Sequence, residues 1–455
     1  MSDIVSFLSS PVIRCIPFAG LLLCVAVMPL VKAEWWEDHQ PIVVVFWSLL
    51  FIIPYAITAG GGETTEVVLE CIVNDYLTFI ILLFGLFCVA GNITLDGNLA
   101  GSPAVNAMFL AIGTLLSSVI GTTGASMLMV RPMIKMNSWR KRKSQIMIFF
   151  IFMISNLGGS LTPIGDPPLF MGFMRGVPFF WSLRLFPILA FNMIVLLIIF
   201  YNVDKKFYRK DIARGHHPDI SQPGITLKIK GLHNIIFIAM IVVAVVLSGT
   251  LPTLPAFQDA AGNVLGIRIY KDVVLSYPSL IEIAMILLAA FLSFKTTDSK
   301  IRTENHFTWG AIKEVAVLFV GIFITMQPAL MLLKSLGPEL GITEPYQMFW
   351  STGMLSSFLD NTPTYLVFLT TAGTLGYSSG IATSVGMVTV KVLMAISCGA
   401  VFMGANTYIG NAPNFMVKSI SDENGIRMPS FFGYMLWSFG ILVPVFLLDT
   451  LVFFR

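Results

Sequence analysis

The sequence predicts an all-α integral membrane protein that is built from two repeats of opposite topology. Three observations support this prediction: long apolar runs, basic residues gathered in a few loops, and two nearly identical ten-residue segments. Of the 455 residues, 56% are hydrophobic and 12% are charged, whereas a soluble domain carries roughly 25% charged residues. The net charge of +3 is too small to indicate a nucleic-acid partner. We therefore expect a lipid bilayer around the chain and no nucleic acid bound to it.

Apolar runs set the number of predicted spans, because a helix needs about 20 apolar residues to cross a bilayer. Ten runs qualify, and two of them, 145–173 and 380–418, are interrupted. Two further runs, 105–131 and 345–378, hold polar and small residues at their centres, SSVIGTTGAS and SSFLDNTPT. We interpret these two as re-entrant hairpins whose tips reach the middle of the membrane. The uninterrupted spans are 15–32, 41–58, 73–95, 182–202, 232–250, 277–295, 309–333 and 430–453.

Basic residues give the orientation, since cytoplasmic loops carry an excess of Lys and Arg. They concentrate in 131–143 and in 203–231. This predicts a first repeat (1–202), a basic cytoplasmic linker (203–231) and a second repeat (232–455). Each repeat has three spans, a hairpin, an interrupted span and a last span. We expect the first run to be a retained span rather than a signal peptide, because no basic segment precedes it, and the short loops favour a bacterial inner membrane.

The two interrupted spans contain the similar segments. Residues 162–171 read TPIGDPPLFM, residues 407–416 read TYIGNAPNFM, and six of the ten positions are identical. Gly and Pro at these places free backbone groups from helical hydrogen bonds, which a bilayer tolerates only inside protein or along a cavity. Paired broken helices in two halves of a chain point to the central site of a transporter.

Two carboxylates lie at predicted membrane depth: Asp166 in the first break and Asp360 at the tip of the second hairpin. Such carboxylates are rare and mark ion paths or proton relays. Either could instead cap the helix that follows it, since Asp is a favoured N-cap. A neutral cap would avoid the cost of burying a charge, and the second break has Asn411 at the position of Asp166. We therefore predict that Asp166 and Asp360 bind a cation or a proton.

Uncharged groups complete the predicted site. Hydroxyl, amide and carbonyl oxygens suit hard cations, although the same groups also join membrane helices by hydrogen bonds. Other charged residues near span ends are interpreted as interfacial, among them Glu282, Glu314 and Asp449, and Lys391 is expected to snorkel. The uncharged candidates are Thr122, Thr123, Asn156, Thr162, Gly165, Asn361, Thr362, Asn406, Thr407, Gly410, Asn411 and Asn414.

Motifs of soluble enzymes and pumps are missing from this sequence. It has no Gly-rich phosphate loop followed by Lys and Ser or Thr, and no HExxH, and its five cysteines lack the spacing of a metal site. We therefore expect a protein that is not an enzyme, is not driven by ATP, and needs no cofactor apart from a transported or coupling ion.

NLGGSLTPIGDPP (156–168), the DNTP tip (360–363) and the inverted halves resemble the ion transporter superfamily. This group includes the NhaD-type sodium/proton antiporters, the citrate and arsenite transporters, and the divalent-anion/sodium symporters. The first break and the DNTP tip look most like the NhaD-type antiporters, and the DPP extension also resembles the citrate-transporter-like branch. The resemblance implies a homodimer whose protomers each hold a scaffold part and a mobile transport part with an elevator-like movement.

The resemblance and the two aspartates lead to one expected function and two alternatives. The divalent-anion symporters carry a Ser-Asn-Thr triad at each hairpin tip, where this chain has Gly121-Thr122-Thr123 and Asp360-Asn361-Thr362. An Asp in such a triad would repel a carboxylate substrate. We expect a sodium/proton antiporter with both ions competing at the aspartates. The alternatives are a sodium- or proton-coupled symporter of citrate or another carboxylate, and a membrane scaffold or sensor that transports nothing.

Overall fold

Ten helices in the described part of the chain are long and apolar enough to cross a membrane, as expected for an all-α integral membrane protein. The computed structural model describes residues 10–97, 99–217, 227–305 and 307–455; residues 1–9 of the first predicted repeat and 218–226 of the linker lie outside them. The ten helices include Pro103–Ile120, which the sequence assigns to a hairpin, whereas the second interrupted span supplies only the shorter stretch Val390–Asn406. The inverted repeats and the re-entrant course of the hairpins stay predictions.

The first three predicted spans are helical, and the third begins earlier than expected. Its start, GGETTEVVLE, is amphipathic and carries three Glu residues, so hydropathy alone leaves it out of the span. A π-helical turn, Cys71–Tyr76, then joins this start to the apolar helix. The elements are α1 (Pro11–Arg14), α2 (Ile16–Val31), α3 (Ala33–Ala59), α4 (Gly61–Glu70), α5 (Leu77–Gly91) and β1 (Thr94–Gly97).

The first hairpin and the first broken helix follow. Gly121 has a φ of +81°, a conformation that only glycine adopts freely, and it separates the two helices of the hairpin. A 3-10 turn, Leu157–Leu161, and a turn over residues 162–166 separate the two halves of the broken helix. The helices are α6 (Pro103–Ile120), α7 (Thr122–Met136), α8 (Ser144–Met153), α9 (Pro167–Met174) and α10 (Phe186–Ile212).

Three further predicted spans follow the linker. The end of the linker forms a strand, β2, which pairs antiparallel with β1. Strands β3 and β4 form a second antiparallel pair between two spans. The elements are β2 (Leu227–Lys230), α11 (Asn234–Thr250), β3 (Gly266–Tyr270), β4 (Val273–Ser276), α12 (Tyr277–Thr296), α13 (Ser299–Glu304) and α14 (Gly310–Leu336).

The second hairpin, the second broken helix and a last span complete the chain. The predicted start of the broken helix, 380–389, is instead an antiparallel pair of strands, β5 and β6. A 3-10 turn, Gly404–Asn406, breaks the helix itself. The elements are α15 (Pro345–Ser356), α16 (Asn361–Gly373), β5 (Ile381–Thr383), β6 (Gly386–Val388), α17 (Val390–Met403), α18 (Ala412–Glu423) and α19 (Phe431–Phe453).

Packing divides the helices into two groups. The frame consists of α1–α5, α11, α12 and α14, which contact one another. The inner unit consists of the hairpins, the broken helices, α10 and α19. The two groups meet where α5 contacts α7 and α9 and where α14 contacts α16. The second helix of each hairpin therefore rests on the third span of its own half, and the helix breaks lie inside the inner unit.

Candidate ion site at the paired helix breaks

The two breaks have the same backbone geometry. Asp166 has φ −149° and ψ 141°, and Asn411 has φ −152° and ψ 139°, each one residue before a half-helix. A Cβ at Gly165 would lie 2.4 Å from the carbonyl oxygen of Gly159, and one at Gly410 would lie 2.5 Å from that of Gly404. Only glycine permits these two close approaches. The two breaks are thus similar in backbone conformation as well as in sequence.

Each break is fastened to the tip of its own hairpin. The Thr162 hydroxyl donates to the Ser118 carbonyl, and the Thr407 hydroxyl donates to the Ser357 carbonyl. The Ser117 hydroxyl donates to the Ile154 carbonyl at 2.7 Å, and the Ser356 hydroxyl donates to the Ala400 carbonyl at 2.6 Å. The sequence prediction missed these serines, although both quoted tips begin with a Ser-Ser pair.

Asp166 is the meeting point of both hairpins and both breaks. The Thr122 hydroxyl of the first tip donates to its Oδ1 at 2.9 Å, and the Asn361 amide of the second tip donates to its Oδ2 at 2.5 Å. The Asn411 amide of the second break donates to Oδ1 at 3.3 Å. Asp166 is 1% exposed and its side chain does not cap the half-helix that follows. The carboxylate therefore faces the centre of the site.

The surroundings of Asp166 act on its negative charge in two opposite ways. Helices α7, α9, α16 and α18 all begin next to the contacts just described, and helix N-termini carry partial positive charge. Three donors and four helix ends stabilise an ionised carboxylate. Complete burial opposes it, because an unpaired charge in a low-dielectric interior is costly. A proton or a small cation at Asp166 would resolve this opposition.

Asp360 is placed differently. Its Oδ1 accepts the backbone N–H of Thr362 at 3.0 Å, so it caps helix α16, and its side chain is only partly buried. This is the capping role that the sequence left open as an alternative. Its contact with an ion stays a prediction, as does that of the half-buried Thr123.

Three buried oxygens near the tips and the second break lack a hydrogen-bond partner among the described residues. They are Asn361 Oδ1, Thr362 Oγ1 and Asn406 Oδ1. Asn361 Oδ1 belongs to the same amide group whose nitrogen contacts Asp166. Buried polar atoms without a partner need an explanation, and a hard cation takes oxygen ligands of this kind. These atoms could ligate a cation beside Asp166.

Two asparagines of the predicted site hold others in place. The Asn156 amide donates to Asn414 Oδ1 at 2.7 Å and to the Ile151 carbonyl at 2.8 Å. Asn156 Oδ1 accepts the Asn411 amide at 3.3 Å, so it helps to aim Asn411 at Asp166. The Asn406 amide donates to Ser357 Oγ at 2.9 Å. These residues connect the breaks to each other and to the second tip.

Two acids that the sequence places at the membrane interface are buried instead. Glu282 is 1% exposed and Asp449 is fully buried, because neighbouring helices cover the faces on which they lie. The Asn192 amide donates to both carboxylate oxygens of Asp449, at 2.8 and 2.9 Å. Position near a helix end does not reveal which face a residue occupies. Lys391, in contrast, is exposed and donates to the backbone oxygen of Arg455.

The comparison with known families covers nearly the whole chain. A family model described as putative citrate transport matches residues 8–454. No curated protein matches the chain. The match includes both hairpins, both breaks and Asp166. The chain therefore belongs to this putative citrate transport family, in the citrate-transporter-like part of the ion transporter superfamily.

Proposed function

We propose that the protein is a secondary active transporter that exchanges sodium ions for protons at Asp166. One observation carries the proposal: both hairpin tips and the second break donate hydrogen bonds to this single carboxylate, which is 1% exposed. A buried carboxylate inside a membrane is costly unless it binds a proton or a cation. Its placement where all four elements meet makes its occupant the ion that the protein handles.

Exchange follows from competition for one carboxylate. With a proton on Asp166, the site is neutral and excludes a cation. With sodium bound, Asp166 supplies the charge and the buried oxygens Asn361 Oδ1 and Thr362 Oγ1 supply further ligands, joined by the hydroxyls of Thr122 and Thr123. Gly165 supports the shell indirectly, since its carbonyl accepts the backbone N–H of Thr122 at 2.9 Å. Sodium and protons would then leave and enter the same site alternately.

The second candidate is cation-coupled uptake of citrate or another carboxylate, which the description of the matched family favours. In that case Asp166 would bind the coupling cation, and the partial positive charge of the helix ends would face the anion. The buried carboxylate opposes this candidate, because it would repel a neighbouring substrate carboxylate unless cations lay between them.

The test uses purified protein in liposomes that contain a pH-sensitive dye and hold an imposed proton gradient. Sodium chloride is added outside in one run, sodium citrate in a second, and choline salts of both anions serve as controls. We expect sodium to dissipate the gradient equally with either anion. A response that requires citrate would replace the proposal with carboxylate symport.

Absence of any flux with either anion would contradict both candidates and favour a membrane scaffold or sensor. An unrelated protonophore added at the end of each run shows that the vesicles still hold their gradient. Two accompanying proposals concern the setting: the protein works as a homodimer, and its membrane is a bacterial inner membrane. Mass measurement of the detergent-solubilised protein tests the first, and membrane fractionation of the source cells tests the second.

A further inference from the structure

Two ion pairs among the described residues join the inner unit to the third span of the frame or to the strand that follows this span. Arg175 Nη2 lies 2.9 Å from Asp75 Oδ2, and Lys135 Nζ lies 2.6 Å from Asp96 Oδ1. Both acids belong to the third span or the strand after it. The helix between Asp75 and Gly91 is about 24 Å long at 1.5 Å per residue, so the two pairs lie towards opposite ends of that span.

Each partner of the Asp75–Arg175 pair is fixed to its own group of helices. The carbonyl of Arg175 accepts the backbone N–H of Ser384, in the turn between β5 and β6, at 2.8 Å. Next to Asp75 in the π-helical turn, the Tyr76 hydroxyl donates to the Ala316 carbonyl of α14 at 2.9 Å. The backbone of Arg175 thus belongs to the inner unit and that of Asp75 to the frame, and the ion pair crosses the boundary between them.

Arg175 is also connected to the ion site. It follows directly after α9, the half-helix at whose N-terminus Asp166 stands. Eight helical residues span about 12 Å and form a rigid rod, so a displacement of Arg175 relative to the frame displaces Asp166 as well. The positive charge of Arg175 also suits the C-terminal end of this helix. The ion pair with Asp75 therefore fixes the position of α9 relative to the frame.

Opening of the site requires some movement of this kind. Asp166 is 1% exposed, so its ion can exchange with either side only after the surroundings of the breaks rearrange. Where α9 meets the frame, the Phe79 and Phe170 rings lie 6.4 Å apart and Gly249 faces Phe173. These contacts are apolar and short-ranged, whereas the ion pair is directional and partly buried.

We propose that Asp75 and Arg175 form a latch that holds the inner unit on the frame in this closed arrangement and must open for Asp166 to exchange its ion. The inference rests on the proposed function, since it makes the pair a positioning device for the Asp166 site. The side chains are 23% and 12% exposed in the latch, against 64% and 45% in the Lys135–Asp96 pair. Exposed ion pairs contribute little, so the second pair serves as the matched control.

The test measures opening without measuring transport. Leu86 on α5 is buried at the boundary, where its Cδ1 lies 3.9 Å from the Cβ position of Gly121 at the first hairpin tip. A Leu86→Cys reporter is introduced after Cys15, Cys24, Cys71 and Cys88 are replaced by Ala. The fifth cysteine, Cys398, is buried in the inner unit and reports on unfolding. Maleimide labelling in lipid nanodiscs is followed by peptide mass spectrometry.

We expect Arg175→Gln and Asp75→Asn each to speed labelling of the reporter about tenfold, the change that ~1.4 kcal/mol makes in an equilibrium. The double variant should label no faster than the faster single variant, because both remove one interaction. Lys135→Gln should change the rate less than about threefold. Cys398 should stay unreactive throughout. A variant that exposes Cys398 has unfolded, and the remaining single variant then decides the comparison.

Unchanged labelling in both single variants, or additive effects in the double variant, would overturn the latch. A tenfold effect of Lys135→Gln would overturn it as well, since any boundary charge would then act alike. The two proposals can be contradicted independently. Faster labelling in the latch variants, together with no sodium-dependent flux in the wild type, would support the latch and contradict the antiporter. Sodium-dependent flux with unchanged labelling in the latch variants would support the antiporter and contradict the latch.

Discussion

The two helix breaks share one backbone and differ in one charge. Asp166 and Asn411 agree within a few degrees in φ and ψ, and each break is tied to its hairpin by the same threonine-to-carbonyl hydrogen bond. Yet the first break carries a carboxylate where the second carries an amide. The amide donates to the carboxylate at 3.3 Å, so the two equivalent positions meet and form a single site.

The difference teaches that two breaks can share a backbone path while one side chain changes the charge between them. Two carboxylates in contact cannot both ionise, because like charges so close strongly disfavour one another. An amide at the second position avoids this repulsion and adds a donor to the charge at the first. The two breaks are therefore alike in backbone and different in charge, and variants at the paired positions test whether their functions differ.

Asp166→Asn should have the largest effect, because it makes the two breaks chemically alike. We expect sodium-dependent proton flux in liposomes to fall more than about 100-fold, since the buried carboxylate that would hold the ion loses its charge without a change of side-chain shape. Asp449→Asn is the matched control: it also neutralises a buried carboxylate of the inner unit, but one that contacts Asn192. Flux near the wild-type rate in Asp166→Asn would contradict the proposed function.

Asn411→Asp tests the same comparison from the other side. A second carboxylate would stand 3.3 Å from the first, and the pair would hold one shared proton over much of the pH range. We expect flux at neutral pH to fall by about tenfold or more and its optimum to move to higher pH. The measurement is a pH profile of flux from pH 6 to 9. An unchanged profile would mean that the two side chains do not meet.

Much of this site follows from sequence, because a broken helix inside an apolar run has few physical explanations. Polar and small residues inside apolar runs are enough to predict the hairpins and the breaks. They also single out Asp166 and the tip residues Thr122 and Asn361. They do not predict the convergence on Asp166, since the contact between Asn361 and Asp166 joins residues 195 positions apart. Only packing of the two halves sets that register.

Other features stay hidden from sequence for the same reason. Hydropathy shows where a span ends but not which face of a helix its neighbours cover, so Glu282 and Asp449 read as interfacial although both are buried. Asp75 and Arg175 are 100 positions apart, and nothing local pairs them. Residues 380–389 form the paired strands β5 and β6, and hydropathy does not distinguish short strands of this kind from the start of an apolar helix.

Thr162→Val and Thr407→Val each remove the hydroxyl that ties a break to its hairpin, but Thr407→Val should cost more. The Thr407 hydroxyl also accepts the backbone N–H groups of Ile409 and Gly410, at 3.3 and 3.1 Å. Each leaves a buried carbonyl, of Ser118 or of Ser357, without its hydroxyl donor. The expected loss is about 1–3 kcal/mol in the free energy of unfolding, the cost of an unsatisfied buried polar group. Denaturant unfolding in detergent measures it. A larger loss in Thr162→Val than in Thr407→Val would contradict this order.

Asp360→Asn should have the smallest effect, although it removes the other carboxylate that the sequence singles out. Asp360 caps α16 through the Thr362 N–H, and Asn is about as good an N-cap as Asp. We expect the unfolding free energy to change by less than about 0.5 kcal/mol and flux to fall less than about tenfold. Asp360→Ala, which removes the cap as well, should cost about 1 kcal/mol more. A loss of flux in Asp360→Asn as large as that in Asp166→Asn, without a loss of stability, would make Asp360 an equal ligand of the ion. The site would then depend on two carboxylates, one in the first break and one at the second hairpin tip. The comparison of the two breaks alone would not describe it.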